Sequence, residues 1–420
     1  MKPLALYLPQ FHTFPENDEW WGKGYTEWTA VRKAKPLFEG HRQPRIPQNE
    51  NYYDLDNDGV KTLRWQADLA KKYGIYGFCF YQYWFNSKQL MEKPMETLRD
   101  NPDIDMNYCV CWANESWTRT WYGLQNEVLM AQEYGKKEDW IKHIDYLLTF
   151  FKDRRYIKIG NKPVLMIYRS YDIADLGRMK EVFEDRVRAA GFDGVYIISA
   201  KTAGEQDDRG ELIDAYYYFE PGYSLKHGLK PWQTIKYNIS VALRSLYNKC
   251  FKTTLLERMI SMEWIYSSIE NRKYADNEIP GTLARWDNTP RRDHKGLVYM
   301  GSSPSRFREN LGRLQDIVDG RGSNGTNMTQ SGTVPIKNET AVNITQDKQM
   351  LTEPANEVDI TIENLDINQQ NNIAHEDGEV DIKELIIINA MNEWGEGAML
   401  EPDEAEGYGY LEAVAEVIGC

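Results

Sequence analysis

Two glutamates with a spacing suited to acid–base chemistry, Glu393 and Glu396, flank Trp394 in the segment IIINAMNEWGEG at 386–397. If the chain turns helically there, residues three apart share one face, with Cβ atoms about 5–6 Å apart. Two carboxylates this close in a partly dry pocket repel each other, so one holds a proton and the other stays ionised. Glycosidic bond cleavage uses such a pair, and a separation of about 5–5.5 Å is the retaining geometry. The segment predicts a catalytic pair, with a solvated acidic loop as the alternative.

A buried strand is expected to position this pair, because the run at 385–388 is apolar without polar alternation. The predicted strands number eight and lie at 3–8, 76–84, 108–113, 163–168, 195–200, 215–219, 281–286 and 385–390. Stretches of helical period lie between most of them, at 58–74, 140–153, 176–191 and 305–318. Eight such units predict an α/β fold, a (β/α)8 TIM barrel with its active site at the strand carboxyl ends.

Polar side chains follow every predicted strand, as a barrel active site requires. In chain order they are Gln10 and His12, Trp84 and Asn86, Asn114 and Glu115, Arg169, Lys201, Glu220, Asp287, and finally Asn392, Glu393 and Glu396. The alternative is that loops are polar wherever strands end. Tryptophan and tyrosine recur beside the acids, however, and this favours a shared site over scattered loops.

Tryptophans around Glu115 point to a saccharide ligand, because an indole offers a broad apolar face and a hydrogen-bonding edge to a sugar ring. The stretch CWANESWTRTW at 111–121 places Arg119 four residues after Glu115. An aromatic-rich core with Arg119 paired to Glu115 is the alternative, and Glu115 is the reserve catalytic candidate. The predicted substrate-binding residues are Trp394, Asn392, Glu115, Asn114, Trp112, Arg119, Trp286, Asp287, Trp84, Trp28, Glu27, His12 and Gln10.

Length and charge narrow the class of protein. The 420 residues suit one large α/β domain with additions or two domains of ordinary size. A formal charge of −14 disfavours nucleic acid as a partner. Five cysteines form neither a disulfide framework nor a zinc pattern, and the six histidines are scattered, so no metal or other cofactor is expected. The amino terminus lacks the apolar run of a secretory signal, which predicts a cytoplasmic protein.

Two segments interrupt the expected barrel within a single domain at 1–420. The segment 229–275, before the seventh strand, is predicted to be a helical excursion that covers the barrel mouth; as a partly basic amphipathic segment it could instead associate with a membrane surface. The segment 321–383, before the eighth strand, has no aromatic residue and carries eleven acids against four bases. Its composition predicts a disordered, low-complexity acidic insertion.

Five strings carry a resemblance to a known family. They are YLPQFHTFPENDEWWGKGYTEWTAVRKAKPLFEGHRQPRIP, YGIYGFCFYQYWF, CWANESWTRTW, RWDNTPR and NAMNEWGEGAMLEPD. They resemble the WbsX-type proteins of bacterial surface-polysaccharide gene clusters, which carry a domain similar to glycoside hydrolase family 99. The resemblance implies a metal-free (β/α)8 barrel and retaining cleavage of α-mannosidic bonds. It also implies that Glu393 takes the proton of the sugar 2-hydroxyl and that Glu396 protonates the leaving oxygen.

The resemblance favours a carbohydrate-active enzyme of O-antigen or capsule (lipopolysaccharide or other surface polysaccharide) biosynthesis, acting on an oligosaccharide or lipid-linked glycan. Hydrolysis and glycosyl transfer both stay open, because loops that exclude water would direct the same pair to a sugar acceptor. Stretches such as PENDEWW look WbsX-type and not hydrolase-type, so substrate specificity is not carried over. The alternative is a non-catalytic glycan-binding or scaffold protein of a polysaccharide assembly system.

Overall fold

A computed structural model describes residues 1–118, 127–204, 209–322 and 378–420. Its central sheet contains eight parallel strands: β1 (Lys2–Tyr7), β2 (Gly77–Phe85), β3 (Asn107–Trp112), β4 (Lys162–Ile167), β5 (Tyr196–Lys201), β6 (Ala215–Tyr218), β7 (Glu278–Ile279 and Gly281–Leu283) and β8 (Leu385–Asn389). Each lies at a position predicted from the sequence. All five residues of β8 are buried, which explains its unbroken apolar run.

The sheet is a nearly closed barrel. Strands β1 to β6 pair in sequence order, and β1 also pairs with β8, Lys2 opposite Leu385. Strand β7 completes the circle in two parts, because Glu278–Ile279 pairs with β6 while Gly281–Leu283 pairs with β8. Pro280 separates the two parts and its carbonyl accepts the Ile387 N–H at 2.9 Å. The predicted α/β barrel is therefore confirmed.

Eleven α-helices are described: α1 (Pro15–Trp21), α2 (Glu27–Lys33), α3 (Gly59–Lys72), α4 (Lys93–Asp100), α5 (Lys137–Phe151), α6 (Leu176–Ala189), α7 (Pro231–Phe251), α8 (Met262–Glu270), α9 (Thr289–Arg292), α10 (Pro304–Gly322) and α11 (Gly409–Ile418). Helices α3 to α6, α8, α10 and α11 follow or connect barrel strands. Helix α5 shows why they pack there, since Trp140, Ile144, Leu147 and Phe151 recur at helical spacing and are buried. A 3-10 turn, Gly210–Leu212, stands in the β5–β6 connection.

The predicted excursion at 229–275 is not helical throughout. It contains α7, a strand at Arg258–Ser261 that pairs in parallel with Leu297–Met300, and α8. Helix α8 buries Ile265 and Ile269 completely, so it is the outer helix of the barrel between β6 and β7. Only the part before α8 departs from the barrel repeat.

The predicted insertion at 321–383 falls mostly outside the described residues, which resume at 378. The chain there lies against the barrel: Glu379 forms a bridge with Lys158, and Val380 is buried. None of the helices in the described parts of the chain is long and apolar enough to cross a membrane.

Candidate active site at the barrel mouth

The predicted acid pair lies immediately after β8 in a tight turn. Residues Asn392–Glu393 pair with Ala398–Met399 in an antiparallel hairpin, and Trp394–Glu396 forms a 3-10 turn between them. Glu393 directly precedes this turn and Glu396 is its last residue. The chain thus turns between the two acids, although Glu393 itself has a non-helical backbone, with φ −78° and ψ 69°.

Arg291, the last residue of the RWDNTPR string, holds both acids. Its Nη2 donates to Glu393 Oε2 at 2.9 Å, and its Nη1 lies 3.0 Å from Glu396 Oε1. Its Nε donates to Glu27 Oε1 at 2.7 Å. Each of the three guanidinium nitrogens thus contacts a different carboxylate, and the planar group fixes the relative positions of the three acids.

Gly395 makes this three-acid cluster sterically possible. A Cβ placed on Gly395 would lie 1.6 Å from Glu27 Oε1 and 2.7 Å from Arg291 Nε. Any side chain there would displace either the glutamate or the arginine. The glycine of the Glu-Trp-Gly-Glu sequence is therefore required by the close approach of α2 to the turn.

Burial and like charge shift both acids towards their protonated forms. The Glu393 side chain is 7% exposed and that of Glu396 is 23% exposed. Burial raises the pKa of Glu393 to about 8, because Arg291 only partly offsets desolvation and Glu396 and Glu27 repel its charge. The pKa of Glu396 is also raised, by burial and then by Glu27, against the effect of Arg291. At neutral pH the pair therefore retains a proton.

The reserve candidate Glu115 stands on the opposite wall, after β3. It forms an ion pair with Arg169, which follows β4. Burial raises the pKa of Glu115, Arg169 lowers it, and Glu396 is close enough to raise it further. Glu115 is thus electrostatically coupled to the acid pair, and its ion-pair partner is Arg169. Arg119, the expected partner, lies outside the described residues.

Three tyrosines add neutral hydroxyls to this mouth. Burial raises the pKa of Tyr81 and Tyr83 well above the ordinary value, and the charge of Glu393 raises both further. Burial likewise raises the pKa of Tyr168, followed by the charge of Glu115. They remain protonated at physiological pH and can donate hydrogen bonds to a polar ligand.

Trp394 and Trp28 support the turn from behind. Trp394 is 1% exposed and its Nε1 donates to Glu401 Oε2 at 2.6 Å. The two indoles lie 5.3 Å apart, and Trp28 Nε1 donates to the Tyr53 carbonyl at 2.8 Å. Burial raises the pKa of Glu401 to about 7, although Trp394, Gln66 and Tyr53 donate hydrogen bonds to it. These predicted substrate-binding tryptophans have internal partners and hold the acid pair in place.

Two predicted asparagines tie strand ends together. Asn392 Oδ1 accepts the Leu8 N–H at 2.8 Å and its Nδ2 donates to the Leu8 carbonyl at 2.9 Å, joining the ends of β8 and β1. Asn114 makes the same pair of bonds with the backbone of Arg169, both at 2.8 Å, joining β3 and β4. Both amides are buried and fix the barrel rim that carries the acids.

Asp287 has a comparable internal role after β7. Its Oδ2 is 2.8 Å from His41 Nε2 and accepts from Gln43 Nε2 at 2.7 Å, while Oδ1 accepts the Thr289 hydroxyl at 2.6 Å. Burial opposes ionisation of Asp287, but the His41 hydrogen bond and nearby positive charge lower its pKa. The Asp287 N–H also donates to the Glu396 carbonyl at 2.7 Å, so this residue anchors the Trp394–Glu396 turn through its backbone.

The remaining predicted residues divide between core and rim. Trp112 Nε1 donates to the Trp84 carbonyl, and Trp84 stacks on a histidine ring. His12 is buried against the Pro9 carbonyl, and burial lowers its pKa. Gln10 is buried too. Trp286 is half-buried, and its Nε1 is a buried atom without a hydrogen-bond partner among the described residues.

Arg291 and Glu401 contribute to this site but were not predicted from the sequence. Arg291 lies beyond the residues that directly follow a strand, in the short helix α9, and its clustering with Glu27 depends on helix α2, which is more than 250 residues away in the sequence. Glu401 follows the apolar run AML, and an acid after such a run is a signal for a buried carboxylate. The partners of a buried charge can therefore be identified only once the three-dimensional fold is known.

Comparisons with known proteins agree with this architecture. The model of the family described as Glycosyltransferase WbsX matches residues 3–328 and 359–414. Two Xanthomonas campestris pv. campestris proteins, from strains ATCC 33913 and B100 and both described as uncharacterized protein WxcX, are 31% identical over 418 residues. The alignments cover 99% of this chain and 49% of each relative, so the chain spans about half the length of the curated relatives it matches.

Solved structures give a similarity of fold. A protein described as glycoside hydrolase-like superposes with a TM-score of 0.51 at 13% identity, over 99% of this chain and 93% of that one. The GH99 endo-alpha-mannosidase from Bacteroides thetaiotaomicron gives a TM-score of 0.49 at 12% identity, over 99% and 96%. The family match spans nearly the whole chain and the relatives exceed 30% identity. The chain belongs to the WbsX glycosyltransferase family, a family of carbohydrate-active enzymes.

Proposed function

We propose that this chain breaks or transfers an α-linked glycosyl bond during the biosynthesis of a bacterial surface polysaccharide, an O-antigen or a capsule, with Glu393 and Glu396 as its catalytic residues. The observation that carries the proposal is the contact of one arginine, Arg291, with both carboxylates at 2.9 and 3.0 Å. Membership of the WbsX family supports the carbohydrate substrate. The free state of all five cysteines is compatible with a cytoplasmic location.

The chemistry follows from the two carboxylates acting in turn. Glu393 takes the proton of the sugar 2-hydroxyl, whose oxygen attacks the anomeric carbon as the bond to the leaving oxygen breaks. Glu396 gives its proton to that leaving oxygen. Water or an acceptor hydroxyl then opens the epoxide-like intermediate and returns a proton to Glu396, while Glu393 reprotonates the 2-oxygen.

One proton shared by the pair satisfies these roles. In the free protein the deeper burial of Glu393, with its pKa near 8, favours the proton on that residue. A substrate hydroxyl that donates to Glu393 stabilises its ionised form and shifts the proton to the more exposed Glu396. Substrate binding thereby sets the acid and the base, and Arg291 stabilises whichever carboxylate is charged.

The surrounding side chains suit a sugar. The Tyr81 and Tyr83 hydroxyls stay protonated beside Glu393. Neutral donors of this kind bind sugar hydroxyls without competing for the proton of the acid pair. The Glu115–Arg169 pair on the opposite wall adds charged groups that can bind further hydroxyls.

The test is a product assay of the wild-type protein and of Glu393→Gln and Glu396→Gln on α-linked oligosaccharides and lipid-linked glycans, read by mass spectrometry. We expect either substitution to lower activity by roughly 10²–10⁴-fold, the usual contribution of a general acid or base. Glu309→Gln, a substitution of an exposed glutamate on α10, is the matched control and should leave activity unchanged. Product masses separate hydrolysis from transfer.

Two results of this assay would contradict the proposal. Activity that persists in both variants would move the chemistry to Glu115 or elsewhere. Saturable glycan binding with no turnover of any substrate would favour the non-catalytic glycan-binding alternative.

A further inference from the structure

Helix α7 presents an apolar face that the barrel does not cover. Ile235, Ile239, Leu243 and Leu246 are 54–62% exposed, and their spacing of three to four residues places them on one side of the helix. Exposed aromatic residues lie at both ends of this row of aliphatic residues. The aliphatic and aromatic residues together are here called the α7 face: Trp232, Ile235, Ile239, Leu243, Leu246, Tyr247 and Phe251.

The opposite side of α7 attaches the helix to the protein. Asn248 is buried, and its Nδ2 donates to the Leu255 carbonyl at 2.8 Å. Arg244 donates to the Leu256 carbonyl at 3.2 Å, and the Tyr237 hydroxyl accepts from Arg258 Nε at 3.1 Å. These anchors make the outward direction of the α7 face a property of the fold.

The charge of this region is opposite to that of the whole chain. Residues 221–256 contain no aspartate or glutamate, whereas the 420-residue chain has a net charge of −14. The same segment carries six lysines and arginines: Lys226, Lys230, Lys236, Arg244, Lys249 and Lys252. The α7 face is therefore an apolar stripe in the most consistently basic part of the sequence.

We propose that the α7 face docks on the surface of an anionic lipid bilayer, with the helix lying in the plane of the interface. A helix with an exposed apolar stripe, basic flanks and aromatic residues binds such surfaces by burying the stripe among the acyl chains while its lysines contact the headgroups. Lys236 and Lys249 border the stripe and are exposed, so their ammonium groups can reach the headgroups.

Charge complementarity selects this partner over a second copy of the chain. A symmetric dimer through the α7 face would bring the same stripe and its bordering lysines against themselves, and like charges in one interface oppose association. An anionic membrane instead supplies negative charge and apolar volume together. Trp232 and Phe251 at the ends of the stripe are residue types suited to the bilayer interface.

Arg258 connects helix α7 to the surroundings of the acid pair. Arg258, which anchors Tyr237 of α7, is close enough to Arg292 to lower its pKa after the larger effect of burial, and Glu396 acts on the same guanidinium. Arg258 therefore links α7 electrostatically to residues around the barrel mouth. If the proposed function holds, docking would present this mouth to a lipid-linked glycan at the membrane surface; the docking itself does not depend on that function.

Flotation of the purified full chain with lipid vesicles tests the proposal without an enzyme assay. We expect binding to equimolar phosphatidylcholine–phosphatidylglycerol vesicles, weakening in high salt, and none to pure phosphatidylcholine. Leu243→Asp should abolish binding to the anionic vesicles. Val60→Asp, a matched change of an exposed valine on α3, should bind like the wild type. Because both residues are exposed, circular dichroism should show both variants folded.

Three results would overturn the proposal. They are the absence of wild-type binding to anionic vesicles, undiminished binding by Leu243→Asp, and light scattering that shows a dimer which Leu243→Asp dissociates. The last would assign the α7 face to self-association. If Leu243→Asp loses vesicle binding but still turns over a soluble glycan at the wild-type rate, the substitution affects membrane docking and not the proposed catalytic site.

Discussion

Two buried arginines, Arg155 and Arg291, lie at opposite ends of the barrel in different electrostatic surroundings. Arg155 precedes β4 at the amino end of the strands, where it donates to the carbonyls of Leu98 and Ile104 and to the carboxylate of Asp153. Arg291 lies at the carboxyl end and contacts three carboxylates. One arginine thus balances one acid, and the other leaves two negative charges in excess when all three acids are ionised.

The pKa values follow this difference in charge balance. Burial opposes ionisation of Asp153, but the hydrogen bonds from Arg155 outweigh it and lower the pKa below the ordinary value. At the mouth, burial outweighs Arg291 and raises the pKa of Glu393 to about 8. A balanced buried pair fixes structure, whereas an unbalanced cluster holds a proton that can be exchanged with a substrate.

Removing Arg291 should have the largest effect, because it leaves the acids at the mouth without their shared cation. Arg291→Met should lower activity by at least about 100-fold through misplacement of the pair. Arg291→Lys should recover part of it, because it restores the charge without the planar fork. Steady-state kinetics on any accepted glycan measures the activity of both variants. Wild-type activity in Arg291→Met would show that Arg291 does not position the acid pair for catalysis.

The same truncation at the other end of the barrel should separate stability from activity. Arg155→Met leaves Asp153 buried without its cation and several carbonyls without a donor, so the free energy of unfolding should fall by about 3–5 kcal/mol. Denaturant titration measures this loss. Activity per folded molecule should stay near the wild-type value, and a specific loss of activity would show that the two ends are coupled.

A methyl group at Gly395 should disrupt the three-acid cluster without changing any charge. The added Cβ would overlap Glu27 Oε1, so Gly395→Ala should lower activity by roughly tenfold or more through displacement of the pair. The control is Gly312→Ala, because no atom lies within 4 Å of the added carbon on helix α10. It should be neutral or stabilise by up to about 1 kcal/mol. Equal effects of the two alanines on activity would contradict the steric account.

The pH dependence of stability should have opposite signs for Glu393 at the carboxyl end of the barrel and Asp153 at the amino end. This effect should be smaller than those of the substitutions above. A carboxyl with a raised folded-state pKa binds more protons when folded than unfolded, so Glu393 should lower stability as pH rises from about 4.3, its unfolded value, to about 8. Asp153 has a lowered pKa, so its stabilisation is present above about pH 4 and is lost as pH falls further. Chemical denaturation across pH should show a shallower decline in stability between about pH 4.3 and pH 8 in Glu393→Gln than in the wild type, and an unchanged slope would count against the buried proton.

The sequence predicted the parts of this site that follow from local order. Apolar runs and their spacing located every barrel strand, and the position of Glu393 and Glu396 after β8 followed from the barrel rule. Residue type alone did not separate a sugar-binding tryptophan from a packed one, and Trp394 is 1% exposed. The Arg291 cluster joins α2, α9 and the turn after β8, and contacts between such distant segments are set by the folded barrel.

A ¹³C NMR titration of the protein labelled at its glutamate side-chain carboxyls tests, without a substrate, whether Glu393 holds a proton at neutral pH. The signal absent from Glu393→Gln should titrate with a midpoint near 8, and the signal absent from Glu401→Gln near 7. A Glu393 signal that titrates at the ordinary value of about 4.3 would contradict the account, because the pair would then carry no proton at neutral pH.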